Sequence, residues 1–114
     1  FSIEIVAKLA RRARRTLARL GIGNVEVKTG DGYRGWPEKA PFDAILLTAA
    51  PPEVPAPLLA QLRVGGKMVL PVGAGPSQEL VVLTKTATGV ERRRVAAVRF
   101  VPMTGEAEKP PVEN

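Results

Sequence analysis

Residues 42–52, Phe-Asp-Ala-Ile-Leu-Leu-Thr-Ala-Ala-Pro-Pro, constrain the fold more than any other stretch. The run opens polar, is apolar through residues 44–47, and ends in Thr48-Ala49-Ala50 against Pro51-Pro52. Pro41 and the double proline bound it too tightly for a buried helix, so it is predicted to be a short strand. Apolar residues without alternation fit a strand covered on both faces, as inside a parallel sheet. The small residues at its carboxyl end leave the backbone open to a ligand, and ligands of open α/β sheets sit at such ends.

The rest of the chain reads as strands and helices around this one. Residues 1–6 read as a strand. A chain seldom begins inside a core strand, so further sequence is expected upstream. A helix follows from about residue 5. Val6, Leu9, Ala10, Ala13, Leu17 and Leu20 form its apolar stripe, and Gly21 is its natural stop. Residues 24–29 alternate with period two and predict a second strand. It ends in Gly30-Asp31-Gly32, a tight turn expected to expose its carboxylate. Residues 33–41 read as a loop with a short helical turn. Residues 57–62 predict a short helix with Leu58, Leu59 and Leu62 inward. Residues 63–67 break it, and residues 68–72 form the next strand. Gly73-Ala74-Gly75-Pro76 lacks the spacing of a phosphate-binding loop. Residues 78–85 and 90–103 predict a hairpin turning at 86–89, with Arg92, Arg93 and Arg94 at its exposed edge. One domain is expected over residues 1–105, with a frayed tail at 106–114.

Composition excludes several chemistries. The sequence has 114 residues with neither cysteine nor histidine. Disulfides, thiolate metal sites and histidine-assisted nucleophiles are therefore out, and no metal site is expected. No apolar run is long enough to span a bilayer as a helix. The formal charge of +6 favours polyanions without naming one. Lys8, Arg11, Arg12, Arg14, Arg15 and Arg19 give the first helix a basic face. Nucleic-acid binding is one reading of that face. A solvated face is the favoured one, because no aromatic residue is interleaved for base stacking.

Strand, helix, strand, loop, strand, helix, strand and hairpin make an α/β chain, with a mostly parallel sheet and an antiparallel edge. Glu4, Asp31 and Thr48-Ala49-Ala50 close its first three strands. In a parallel arrangement these ends share one rim. In doubly wound sheets, a carboxylate at the end of the second strand binds ribose hydroxyls.

Ser2-Ile3-Glu4, Gly30-Asp31-Gly32, Gly35-Trp36, residues 42–50, Leu58-Leu59 with Gln61-Leu62, Gly65-Gly66, residues 70–73 and residues 98–102 together resemble the protein-L-isoaspartate O-methyltransferases. The resemblance runs over nearly the whole chain in order. It implies a Rossmann-like methyltransferase fold, S-adenosylmethionine as methyl donor, and isoaspartyl carboxylates of damaged proteins as acceptors. By it, Glu4 holds the cofactor ribose, while Asp31 and Gly32 meet the adenine. Thr48 and Ala49 lie under the methyl donor. Ala50, Val101 and Pro102 face the peptide. No residue is assigned a bond-making role. The resemblance also implies that this chain corresponds to the family's carboxyl-terminal portion, without its first strand and glycine-rich cofactor loop. The isolated chain is then expected to be inactive, and to self-associate or pair with the front half. A cytoplasmic repair enzyme is the implied setting. Two other readings remain at this stage: a fragment of another Rossmann-like methyltransferase, and a non-catalytic basic module that binds nucleic acid.

Overall fold

The structure, a computed structural model, describes residues 1–109. Its strands form two sheets. β1 (Ser2–Glu4) and β2 (Val27–Thr29) pair in parallel, connected by α1 (Ala7–Arg19). β3 (Phe42–Leu46), β4 (Leu62–Val72), β5 (Gln78–Lys85) and β6 (Val90–Val98) form the second sheet in that order. β3 and β4 are parallel, with α2 (Ala56–Gln61) between them in sequence. β4–β5 and β5–β6 are antiparallel, so the parallel and antiparallel pairings are balanced.

Most elements follow the sequence pattern. α1 ends as Gly21 predicts. Gly21 sits at φ +71°, its N–H donates to Ala18, and that of Ile22 donates to Leu17. These two bonds satisfy carbonyls the last helical turn would otherwise leave open. Fewer of α1's apolar residues are covered than expected. Ala10 is fully buried, whereas Val6, Leu9 and Leu20 are largely exposed. A two-strand sheet is too narrow to cover a stripe of that width.

The core lies in the second sheet. Leu62, Met68 and Leu70 of β4, Val81 and Leu83 of β5, Leu58 of α2 and Leu47 form one buried cluster. Alternation along β4 places Met68 and Leu70 on the face that α2 covers. β4 starts earlier than predicted, at Leu62. Its register with β3 jumps from Phe42↔Leu62 to Ala44↔Lys67, so Gly65-Gly66 form an excursion within the strand and not a gap before it. Gly65 takes φ +85° there.

β3 departs from expectation in its burial. Ile45 is half-buried and Leu47 buried, but Leu46 is 71% exposed. The cause is the sheet order. β3 pairs with β4 on one side and with no described strand on the other.

β1 and β3 nevertheless face each other. At their starts, the Phe1 and Phe42 rings lie 6.0 Å apart, edge to face. Past their ends, Met103 donates its N–H to the Ala50 carbonyl, and a Cβ on Gly105 would fall 2.8 Å from Ile5 Cδ1. Starts meet starts and ends meet ends, so the two strands run in the same direction. No ladder joins them.

Within the segment expected to fray, Gly105–Glu108 form a 3-10 turn with Ala107 buried. The remainder of the expected tail, 110–114, lies outside the described residues. Arg92, Arg93 and Arg94 lie on the exposed edge strand as expected, with Arg94 paired to Glu79 at 2.9 Å.

Candidate functional site

The space between β1 and β3 is a cleft of about 950 Å³. Its position follows from the two sheets. Residues 1–6 wall one side, residues 44–49 the other, and residues 101–104 cross the end where the strands finish. Trp36 and Phe42 close the opposite end against Phe1. Part of this volume lies beside two open strand edges, so the cleft exceeds what one small ligand would fill.

Six of the eight residues predicted to bind ligand line it: Glu4, Gly32, Thr48, Ala49, Val101 and Pro102. The other two, Asp31 and Ala50, stand behind the wall. Ala50 is buried and pairs with the wall strand, donating its N–H to Val101 at 2.7 Å and accepting from Met103 at 2.8 Å. That bridge is what sets Val101 and Pro102 beside Thr48 and Ala49.

Glu4 is the only ionisable side chain among the described residues lining the cleft. It is half-buried, where β1 gives way to the turn before α1. Its Oε1 accepts from the Val6 N–H at 3.1 Å, and its carbonyl accepts from Gly30 at 3.0 Å. No hydrogen bond or ion pair engages Oε2 among the described residues. One ordered carboxylate in an apolar cleft suits a ligand that donates, such as a vicinal diol.

Asp31 is placed differently from the exposed turn carboxylate expected. It is half-buried. Oδ1 accepts from the Tyr33 N–H at 3.0 Å, capping the 3-10 turn Gly32–Arg34. Oδ2 accepts from the Glu106 N–H at 2.7 Å. The side chain therefore ties the turn that carries Gly32 to the carboxyl-terminal turn. Arg34 and Lys109 reinforce that junction by pairing with Glu106 at 3.6 and 3.1 Å.

Two residues that shape the cleft were given no role in the sequence reading. Gln61 and Gln78 are the buried polar residues of the described chain. Gln61 holds the loop at Arg34 and Trp36, and Gln78 holds Phe100 beside Val101. The signal for Gln61 was available. It lies three residues after Leu58, on the core-facing side of α2, where an amide needs partners.

The model of the family Protein-L-isoaspartate(D-aspartate) O-methyltransferase matches residues 1–108. A protein-L-isoaspartate O-methyltransferase 2 from Nitrosococcus oceani is 51% identical over 111 residues, covering 96% of this chain and 51% of its own length. A Synechococcus relative of that family is 54% identical, covering 90% of this chain and 45% of its own. Among solved structures, a protein-L-isoaspartate O-methyltransferase superposes with a TM-score of 0.86 at 32% identity, covering 92% of this chain and 34% of its own. One from Plasmodium falciparum, in complex with S-adenosyl-L-homocysteine, gives 0.76 at 27% identity, covering 90% of this chain and 50% of its own. The chain spans about half the length of the curated relatives it matches. Its fold is the α/β, Rossmann-like methyltransferase fold. By its matched length and its identity to these relatives, the chain belongs to the protein-L-isoaspartate(D-aspartate) O-methyltransferase family.

Proposed function

We propose that this chain supplies the ribose, adenine and acceptor sides of an enzyme that methylates L-isoaspartyl carboxylates of damaged proteins with S-adenosylmethionine. The observation that carries the reading is the placement of Glu4, Gly32, Thr48, Ala49, Val101 and Pro102 around one cleft where Glu4 is the only ionisable side chain among the described residues lining it. The donor set fits the adenosine end of such a cofactor. Glu4 accepts from the two ribose hydroxyls, with Oε2 wholly open and Oε1 retaining a second lone pair. Gly32 presents no side chain to the adenine. Asp31 holds Gly32 in place, and its spare lone pairs can accept from the exocyclic amine.

When bound, S-adenosylmethionine supplies a sulfonium methyl group to the attacking carboxylate oxygen. The chain's own residues align and shield. Thr48 and Ala49 form a small-residue floor that lets donor and acceptor approach closely. Ala50 fixes the wall strand, and Val101 and Pro102 place the peptide. An isoaspartyl carboxylate is already ionised near neutral pH, so no general base is needed, and the lack of histidine is no obstacle.

The proposal includes a partner segment. β1 and β3 run in the same direction with open edges toward the cleft, and the relatives are about twice as long as this chain. An upstream half that lays a strand between them would join the two sheets. The proposal also includes a cytoplasmic setting, where the methyl donor is supplied. Among the described residues no helix is long and apolar enough to cross a membrane.

The test is calorimetric titration of S-adenosylhomocysteine into this chain assembled with the front half of the Nitrosococcus oceani relative. Saturable binding at one site per assembly, weakened at least ten-fold when Glu4 is replaced by alanine, is expected. Equal binding by the Glu4→Ala assembly would remove the ribose role.

A further inference from the structure

The two buried glutamines make the same contact in two places. Gln61, 9% exposed, accepts at Oε1 from the Trp36 N–H at 2.8 Å and donates from Nε2 to the Arg34 carbonyl at 2.8 Å. Gln78, 5% exposed, accepts at Oε1 from the Phe100 N–H at 2.7 Å and donates from Nε2 to the Phe100 carbonyl at 3.0 Å. Each amide thus grips a backbone at two points, as a neighbouring strand would. The backbone N–H groups fix which end of each amide is oxygen.

The gripped segments form different parts of the cleft wall. The Gln61 loop carries Gly32, Gly35 and Trp36, all on the cleft wall. Gly35 has φ +65°, and a Cβ there would collide with the Gln61 amide. This backbone is therefore held close against the side chain. The Gln78 segment leads directly into Val101 and Pro102, which also line the cleft. Neither glutamine bonds to the other's segment.

We infer that Gln61 and Gln78 are positioning residues with divided tasks: Gln61 sets the cofactor-side loop, and Gln78 sets the peptide-side wall. This rests on the methyltransferase reading for the ligands' names, but not for the geometry. An amide is required at each place because it both accepts and donates. Leucine can do neither. Glutamate accepts from the backbone N–H but opposes the carbonyl with a second oxygen until it takes up a proton. Protonation restores the donor, so a glutamate variant recovers as pH falls and a leucine variant does not.

The experiment uses the assembly of this chain with the relative's front half, as Gln61→Leu, Gln61→Glu, Gln78→Leu and Gln78→Glu variants. Amide hydrogen exchange at Trp36 and Phe100 reads the grip with no ligand present. Exchange should rise at Trp36 alone in the Gln61 variants and at Phe100 alone in the Gln78 variants. Both glutamate variants should regain protection as pH is lowered, after correction for intrinsic exchange. Titration of S-adenosylhomocysteine and steady-state KM for an isoaspartyl peptide read the consequence. Gln61→Leu should weaken S-adenosylhomocysteine about tenfold, roughly the effect of one lost hydrogen bond. Gln78→Leu should raise the peptide KM by a similar factor and leave S-adenosylhomocysteine binding unchanged. Local exchange effects without any binding of S-adenosylhomocysteine by the parent would retain the grips and reject the methyltransferase reading. Parent-like exchange in the variants, uniform loss of protection in all four, or equal effects on both ligands would overturn the division of tasks.

Discussion

Glu4 and Asp31 look alike in sequence, as acidic residues each closing a strand, yet the structure gives them different work. Glu4 keeps one oxygen free and lines the cleft, while Asp31 spends both oxygens on backbone N–H groups and stands behind it. Glu4→Ala should therefore weaken S-adenosylhomocysteine by ten-fold or more, as expected for charge-assisted hydrogen bonds. Its melting temperature should change little, because among the described residues the Glu4 side chain makes one local hydrogen bond, to Val6. Calorimetric titration beside a thermal melt checks both. Asp31→Asn should do less to binding and more to stability. Asn keeps one carbonyl acceptor, but its amide nitrogen then faces a backbone N–H that needs an acceptor. The expected cost is about 1–2 kcal/mol by denaturant titration. Neither division could be read from the residues alone. Gly30-Asp31-Gly32 announces a turn, but the Glu106 N–H arrives from 75 positions further along the chain.

The elements were largely legible because their signals are local. Gly21 stops α1, the period of two marks β2, and the prolines around residues 42–52 isolate β3. Gly21 gives a direct test. It takes φ +71°, and a Cβ there would meet no atom within 4 Å. Gly21→Ala should then cost about 1 kcal/mol from backbone strain alone, measured by chemical denaturation. Burial was less legible than element type. An apolar run such as residues 44–47 gives the composition of a covered strand, but neighbours do the covering, and Leu46 has none on one side. The exposed part of the α1 stripe has the same origin. The excursion at Gly65-Gly66 was read as a break for a related reason. A positive φ interrupts the local pattern, while pairing with β3 on both sides of it keeps the strand continuous.

At the scale of the whole molecule, two sheets face each other across a cleft and are joined at its ends by short contacts. Open edges on β1 and β3 leave unpaired N–H and C=O groups beside apolar side chains, a surface that favours association. The 114-residue chain by itself should sediment as a concentration-dependent mixture of oligomers, and adding the front half should convert it to one species. A monodisperse monomer binding S-adenosylmethionine at micromolar concentration would show that the cleft needs no further strand. The family and its cofactor were readable from the order of short motifs along the chain, although no single motif was specific. Placement on the cleft was readable where it follows from a strand end, as for Glu4 and Thr48. A role was hidden where it depends on a distant backbone, as for Gln61, Gln78 and Asp31. Methyl transfer from labelled S-adenosylmethionine, by this chain assembled with the front half of its Nitrosococcus oceani relative, tests the proposed activity most directly. The acceptors are two peptides that differ only in carrying isoaspartate or aspartate. Label on the isoaspartyl peptide alone, as a base-labile ester and reduced at least ten-fold by Glu4→Ala at subsaturating cofactor, is the predicted result. Equal labelling of both peptides, or saturable cofactor binding with no transfer to either, would contradict it.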